Sequence, residues 1–119
     1  MAITGVHTLL YSSEPEQLRQ TLVDVFGWNH VDDGQNQGWL IFALPPAEMG
    51  VHPGDQPAHE ISFMCDDLTA TVDHLRSQGI EFRGEPVDEG WGIAIPMVLP
   101  GGVETLLYEP RHVTAISGP

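Results

Sequence analysis

The chain has 119 residues, a length that suits one domain with a modest core and excludes two independent domains. Seventeen acidic residues face four arginines and no lysine, which gives a formal net charge of −13. Because nucleic acids and anionic membranes repel such a chain, we expect neither as a partner, whereas cationic ligands, neutral ligands and divalent metals are allowed. The single cysteine excludes an intrachain disulfide, and the N-terminus lacks the basic and apolar regions of a leader. We therefore expect a cytoplasmic protein.

The first half of the chain predicts a strand, a helix and three further strands. Residues 4–11 have a strand composition and end at SSEPE, where Ser13 and Glu16 form a capping-box pattern around Pro15. An apolar stripe at helical spacing follows in residues 18–26, and Gly27 is placed to end the helix. Strands are then expected in WNHV, WLIFAL and EMGVH, with the polar turn DDGQNQG after the first of them.

The second half repeats this order after PGDQP, the densest cluster of turn residues in the chain. A strand near 59–65 precedes a helix opened by Asp66 or Asp67, and strands follow in IEF, GWGIAIPMVLP and VETLLY. Pro96 inside a strand suggests an edge or a bulge. The sequence thus predicts a single α+β domain, 1–119, of two βαβββ modules at about 4–53 and 58–110, with a C-terminal tail at 111–119.

Aligning the two halves leaves the partner of His7 open by one residue. Alignment on the helix starts places His7 opposite Glu60, whereas alignment on the helix-ending glycines places it opposite His59. A slip of one residue would turn every side chain of a strand to the other face. Periodicity favours the first alignment, because residues 61, 63 and 65 form an apolar face that suits a helix, while residues 60, 62 and 64 form a mixed face. A curved, mostly antiparallel sheet with its helices outside would enclose a cavity, and Glu60 would point into it.

The paired plan resembles the vicinal oxygen chelate superfamily over roughly residues 4–110. The resemblance is carried by HTLLYSSEPEQLRQTLVDVFGW in the first half, and by EISFMCDDLTATVDHLRSQGIEF and LPGGVETLLYEP in the second. That superfamily includes glyoxalase, bleomycin-resistance proteins, fosfomycin-resistance thiol transferases and extradiol dioxygenases. Within it, GWGIAIPMVLPGGVETLLYEPRH is similar to an uncharacterised glyoxalase-like branch.

The resemblance implies a divalent metal, Mn²⁺, Fe²⁺, Ni²⁺ or Zn²⁺, held in the cavity by His7, Glu48 and Glu60. The last strand departs from the pattern, because TLLYEP stands where metal-binding members read IELYEP and so places Leu106 at the ligand position. Glu104, two residues earlier on the same face, would have to substitute. A carboxylate that leaves the metal could act as general base, and Glu60 and Glu104 are the candidates for this catalytic role.

Two functions follow from this reading. The first is a metal-dependent, glyoxalase-like lyase or isomerase that stabilises an enolate of a small oxygenated metabolite. The resemblance also implies a homodimer in which His7 and Glu48 of one subunit meet Glu60 and Glu104 of the other.

The second function is a metal-free protein that binds and sequesters a cationic or aromatic small molecule, as bleomycin-resistance proteins do. A catalyst that uses a lone carboxylate as base is a further alternative. Glycines on both sides of Trp91 predict a mobile loop that closes over a ligand, whereas His30, His74 and His112 are expected on the surface. The expected pocket consists of Leu9, Tyr11, Ser62, Met64, Trp91, Leu106 and Tyr108.

Overall fold

The computed structural model of the chain describes residues 2–32 and 39–117. Most of the predicted turn DDGQNQG and the last two residues of the predicted tail lie outside these ranges. None of the described helices is long and apolar enough to cross a membrane. The elements in chain order are α1 (Pro15–Asp24), β1 (His30–Asp32), β2 (Leu40–Phe42), β3 (Ser62–Met64), α2 (Leu68–Ser77), β4 (Glu81–Phe82), β5 (Val87–Asp88), β6 (Gly92–Leu99) and β7 (Val103–Pro110).

The second module forms a mixed five-stranded sheet. Its strand order is β3-β7-β6-β4, and β5, a short strand that the sequence did not predict, also pairs with β6. The β3–β7 pair is parallel and the others are antiparallel. β1 and β2 form a separate antiparallel pair. The α+β prediction is therefore confirmed.

The two faces of the sheet differ along the long hairpin of β6 and β7. Leu107 lies opposite Ile95 and is buried, whereas Leu106 lies opposite Pro96 on the other side. Because side chains alternate along a strand, every second residue of β7 faces away from the core. We call this second surface the open face. Its residues include Ser62, Met64, Pro96, Glu104, Leu106 and Tyr108.

Both helices contribute to the core on the other surface. The stripes predicted for α1 and α2 supply Leu18 and Leu22 from the first and Leu68, Val72 and Leu75 from the second. These side chains form one cluster with β6, whose largest fully buried residues are Ile95, Met97 and Leu99. Burying each such side chain contributes about 1.5–3 kcal/mol, so this cluster is the main apolar support of the fold.

The helix α2 begins as the sequence suggests, at Asp67. Of the two aspartates that could open it, Asp67 is the N-cap and its Oδ1 accepts a hydrogen bond from the backbone N–H of Ala70 at 3.1 Å. Glu109, at the end of β7, accepts a second bond from the N–H of Leu68 at 3.0 Å. The helix is thus attached to the strand that it covers.

The capping box predicted for α1 is wrong. The N-cap is Glu14, whose side chain makes no capping bond. Ser12 is the residue that acts here instead, because its hydroxyl accepts from the N–H of Glu14 at 3.0 Å and donates to the carbonyl of Pro100 at 2.7 Å. The Glu14 carboxylate accepts from the N–H of Gly101 at 2.9 Å. The start of α1 is therefore bound to the β6–β7 turn.

Two predicted strands of the first module do not form within one chain. Residues 4–11 and the EMGVH segment carry no strand assignment and are largely exposed, with Val6 at 92% and Val51 at 96% exposure. A strand exists only when its backbone groups bond to a neighbour, and in this chain neither segment has such a neighbour. The first module therefore supplies one helix and one short hairpin.

Pro96 was expected to mark an edge or a bulge. It marks neither toward β7, with which β6 pairs in an unbroken register, but on the other side it lies at the gap between β4 and β5, where β6 has no paired strand residue. The carbonyl of Pro96 accepts from the N–H of Arg83, one residue beyond the end of β4. The nitrogen of Pro96, which has no hydrogen to donate, thus faces the side on which β4 has already ended. The proline therefore removes at most one hydrogen bond between neighbouring strands.

The attachment of α1 predicts different effects for two adjacent glycines of the β6–β7 turn. Gly101 (φ +88°) and Gly102 (φ +75°) both have left-handed backbones, so alanine strains either one. A Cβ at position 101 would also overlap the Ser12 hydroxyl, whereas at position 102 it would meet nothing within 4 Å. We expect Gly101→Ala to lower the free energy of unfolding by roughly 2–4 kcal/mol and Gly102→Ala by about 1–2 kcal/mol, measured by urea denaturation. Equal losses would contradict the contact.

Candidate functional site

The open face ends in a charged group near the β6–β7 turn. Arg83 forms an ion pair with Glu104 and lies 3.6 Å from the carboxylate of Glu81. All three side chains are more than half exposed, so the pairs add little to stability. Glu104 is thus occupied by an arginine.

The centre of the open face is mainly apolar. Leu106 lies between Pro96 of β6 and Ser62 of β3 in the register, and Met64 lies beside Tyr108. Leu106 is half-buried and carries no group that could bond to a polar ligand. This part of the surface suits apolar contact.

An aromatic pair stands at the far end. The rings of Trp91 and Tyr108 meet edge to face, with 5.1 Å between centroids. Partial burial and the nearby negative charge of Glu48 raise the pKa of the Tyr108 phenol, so its hydroxyl keeps its proton near neutral pH.

Beside this pair, Glu48 of the first half meets the C-terminal tail. One carboxylate oxygen, Oε1, accepts a hydrogen bond from the N–H of Ala115 at 2.8 Å. The other, Oε2, lies 4.0 Å from Nε2 of His112, and that nitrogen lies 3.0 Å from the hydroxyl of Tyr108. The Glu48 side chain is 20% exposed, so water reaches it only in part.

The tail also holds the loop that carries Trp91. The carbonyl of Trp91 accepts from the N–H groups of Arg111 at 2.8 Å and His112 at 3.1 Å. Arg111 forms a 2.6 Å ion pair with Asp88, and the N–H of Gly90 together with this arginine lowers the pKa of Asp88. These contacts do not support the prediction of a mobile loop.

The four predicted metal ligands are dispersed within one chain. His7 and Glu60 are exposed on extended segments, while Glu48 and Glu104 have partners at opposite ends of the open face. Four residues of strand, about 13 Å, separate Glu104 from Tyr108, which lies at the Glu48 end. Among residues 2–32 and 39–117, no three His, Cys, Asp or Glu side chains form a group that could hold a metal ion. With Leu106 at the expected ligand position, the donors of a single chain do not fit a metal.

The structure gathers most of the predicted pocket residues on one surface. The open face presents Ser62, Met64, Leu106 and Tyr108, whereas Leu9 and Tyr11 lie on the exposed N-terminal segment. Two hollows of about 330 and 300 Å³ lie elsewhere, one between α1, the end of α2 and the β6–β7 turn, and one on the β1–β2 hairpin. None of the predicted site residues lines either hollow.

His112 is the residue that the sequence interpretation missed. It was expected on the surface, yet its ring is half-buried between Tyr108 and Glu48. Its position four residues after Tyr108, past the proline that ends β7, is a possible signal. The signal is weak, because the meeting with Glu48 joins residues 64 positions apart and follows from tertiary structure alone.

Cys65 shows no sign of being a nucleophile. It is half-buried against the core, and burial, more than the nearby carboxylates, raises the pKa of its thiol. The reactive thiolate is therefore scarce at neutral pH.

Comparison with known proteins agrees with this fold. The model of the Glyoxalase/Bleomycin resistance protein/Dioxygenase superfamily matches residues 5–98. The uncharacterized protein YetH of Bacillus subtilis (strain 168) is 26% identical over 111 residues, which cover 84% of this chain and 92% of YetH.

Two solved structures have the same architecture. TnmS3, an antibiotic binding protein from Streptomyces sp. CB03234, has a TM-score of 0.67 at 23% identity, covering 93% of this chain and 99% of its own. A lactoylglutathione lyase from Agrobacterium tumefaciens has a TM-score of 0.61 at 15% identity, covering 92% and 96%. These likenesses concern the fold, and the family match spans most of the chain. The chain therefore belongs to the glyoxalase, bleomycin resistance protein and dioxygenase superfamily.

Proposed function

We propose that this protein binds and sequesters an aromatic small molecule, which can be neutral or cationic, and that this binding requires no metal. The observation that carries the proposal is the character of the open face. Leu106 lies at its centre where a metal-binding relative would have a carboxylate, and the Trp91–Tyr108 pair stands at one end. Apolar surface beside aromatic rings, with a few polar groups for orientation, is typical of sites that bind small organic molecules.

Two further points support a binding role over catalysis. Two carboxylates beside this surface have protein partners, Glu48 with Ala115 and Glu104 with Arg83, and a carboxylate engaged in this way is a less effective general base. The architecture is also that of an antibiotic binding protein, with a TM-score of 0.67. A strongly acidic chain favours neutral and cationic ligands over anionic ones.

The binding proposal predicts a saturable response to a simple aromatic probe, 2-naphthylmethanol. We expect the indole N–H resonance of Trp91 to shift on titration in ¹H–¹⁵N NMR spectra. Trp91→Ala lacks this reporter, so its affinity is read from the backbone amide resonance of Tyr108. The substitution should weaken binding by roughly tenfold or less, since an aromatic contact contributes about 0.5–1.5 kcal/mol.

Trp39→Ala is the matched control, because Trp39 is an exposed tryptophan on the hairpin side of the molecule. Absence of saturation, or equal weakening by the two substitutions, would contradict the proposal.

A metal-dependent lyase or isomerase is the second candidate function. It is favoured by the fold shared with a lactoylglutathione lyase, and by His7 and Glu60, which lie exposed on segments that a second subunit could bring to a common site. In the part of the chain that the structure describes, one copy by itself does not bring together a fitting set of donors.

Elemental analysis distinguishes the two functions. We expect protein purified without chelator, and then incubated with Mn²⁺, Ni²⁺ or Zn²⁺ and dialysed, to retain far less than one metal ion per chain, because the donors are dispersed and Leu106 replaces a ligand. About one transition metal per chain, lost in His7→Ala and in Glu60→Ala, would instead establish the metal-dependent reading.

We also propose that two copies of the chain associate, which would complete the first module. The accessible surface is 8926 Å², whereas a compact protein of this mass exposes about 6,300 Å². The radius of gyration is 15.5 Å against about 13.5 Å for a compact chain of this length. The excess surface includes exposed apolar side chains of the two unpaired segments, Val6, Met49 and Val51, and the neighbouring Ile3. A second copy could pair these segments and cover the open face.

Light scattering after gel filtration tests this association. We expect a mass near twice the 13.0 kDa of one chain. Val6→Glu and Val51→Glu should shift the mass toward one chain, because a charge would then enter an apolar interface. Val113→Glu, at an equally exposed apolar residue of the tail, is the control and should leave the mass unchanged. A single-chain mass for the unmodified protein would refute the association.

A further inference from the structure

One oxygen of the Glu48 carboxylate has no hydrogen-bond partner among residues 2–32 and 39–117. Oε1 accepts a hydrogen bond from the N–H of Ala115. Oε2 lies 4.0 Å from Nε2 of His112. This separation exceeds a hydrogen bond. No buried side-chain nitrogen or oxygen of the described residues lacks a partner, so Oε2 is reached by water and is accessible to a donor or a cation of a ligand.

The tautomer of His112 explains why the histidine does not fill this role. Its Nδ1 lies 2.8 Å from the carbonyl oxygen of Val113, which can only accept, so Nδ1 carries the proton of the neutral ring. Nε2 is then an acceptor and receives the hydroxyl proton of Tyr108 at 3.0 Å. With Nε2 placed 3.0 Å from Tyr108 and 4.0 Å from Oε2, His112 makes no hydrogen bond to Glu48 and instead orients the Tyr108 ring.

Neither a lysine nor an arginine supplies a cation at this place. The chain contains no lysine, and its four arginines have partners elsewhere. Those partners are Trp39 for Arg19, Phe82 for Arg76, Glu81 and Glu104 for Arg83, and Asp88 for Arg111.

We propose that Oε2 of Glu48 binds a protonated amine of an aromatic ligand whose ring packs against Trp91 and Tyr108. This inference rests on the proposed binding function and names the chemical class of its ligand. An ammonium group is compact and carries several N–H donors, so it can bond to Oε2. The faces of the two nearby rings attract the same positive charge. The ligand is therefore an aromatic compound with a primary or secondary amine close to the ring system.

The test compares two probes that share a ring and a linker, 2-naphthylmethylamine, which is protonated at neutral pH, and 2-naphthylmethanol, which is neutral. We expect the amine to bind about tenfold more tightly, which corresponds to about 1.4 kcal/mol. Glu48→Gln should abolish this preference and leave the affinity for the alcohol within about twofold, because the amide oxygen can still accept from Ala115 while the charge is lost. Affinities are read from the Trp91 indole resonance.

Glu85→Gln is the matched control, since it removes one negative charge from an exposed position in the β4–β5 connection. It should leave the amine preference unchanged. An amine preference that falls equally in both variants would reduce the effect to net charge and overturn the inference. Equal binding of the two probes by the unmodified protein would overturn it as well, while the binding function would stand. If neither probe binds, the binding function fails, and this inference fails with it.

Discussion

The architecture depends on the pairing of β6 with β7, the longest strands of the structure. Because side chains alternate along each strand, this one hairpin creates both a surface that must be buried and a surface that need not be. Ile95, Met97 and Leu107 face the helices and close the core, while Leu106 and Tyr108 face the other way. The helices cover the first surface completely. Among the described residues nothing covers the second to the same degree, and we propose that the site lies there.

In the described ranges, the first module has no such pair of long strands within one chain. Its helix is held in place by apolar contacts and by the bonds of Ser12 and Glu14 to the β6–β7 turn. Its outer segments have the composition of strands but no neighbouring strand within the chain, so their backbone groups face water. Because the first module lacks these strands within one chain, the residues that the family resemblance places around a metal lie far apart. One of them, His7, belongs to these segments, and Glu60 lies exposed just before β3 in the second module.

The chemistry of the open face follows from which of its polar groups are already engaged. Arg83 pairs with Glu104 at one end, and at the other the tail donates to one oxygen of Glu48, while the second oxygen has no hydrogen-bond partner among the described residues. Between them the surface is apolar, with Leu106 as its central residue. Family membership alone does not separate a lyase from a binding protein, since the superfamily's own description spans both. It is the arrangement of these contacts that favours binding an aromatic amine.

The sequence by itself determined the local features. Periodic apolar residues placed both helices, the glycines at 27 and 79 ended them with positive φ, and the strands of the second module were located with one short strand missed. These features depend on neighbours a few residues away, which a sequence pattern records. The tertiary structure decided which polar groups meet. The bond of Glu48 to Ala115, the position of His112 and the pairing of Arg83 with Glu104 all join residues from distant parts of the chain. The same reason explains the strands that did not form, because a strand requires a partner whose position no local pattern specifies.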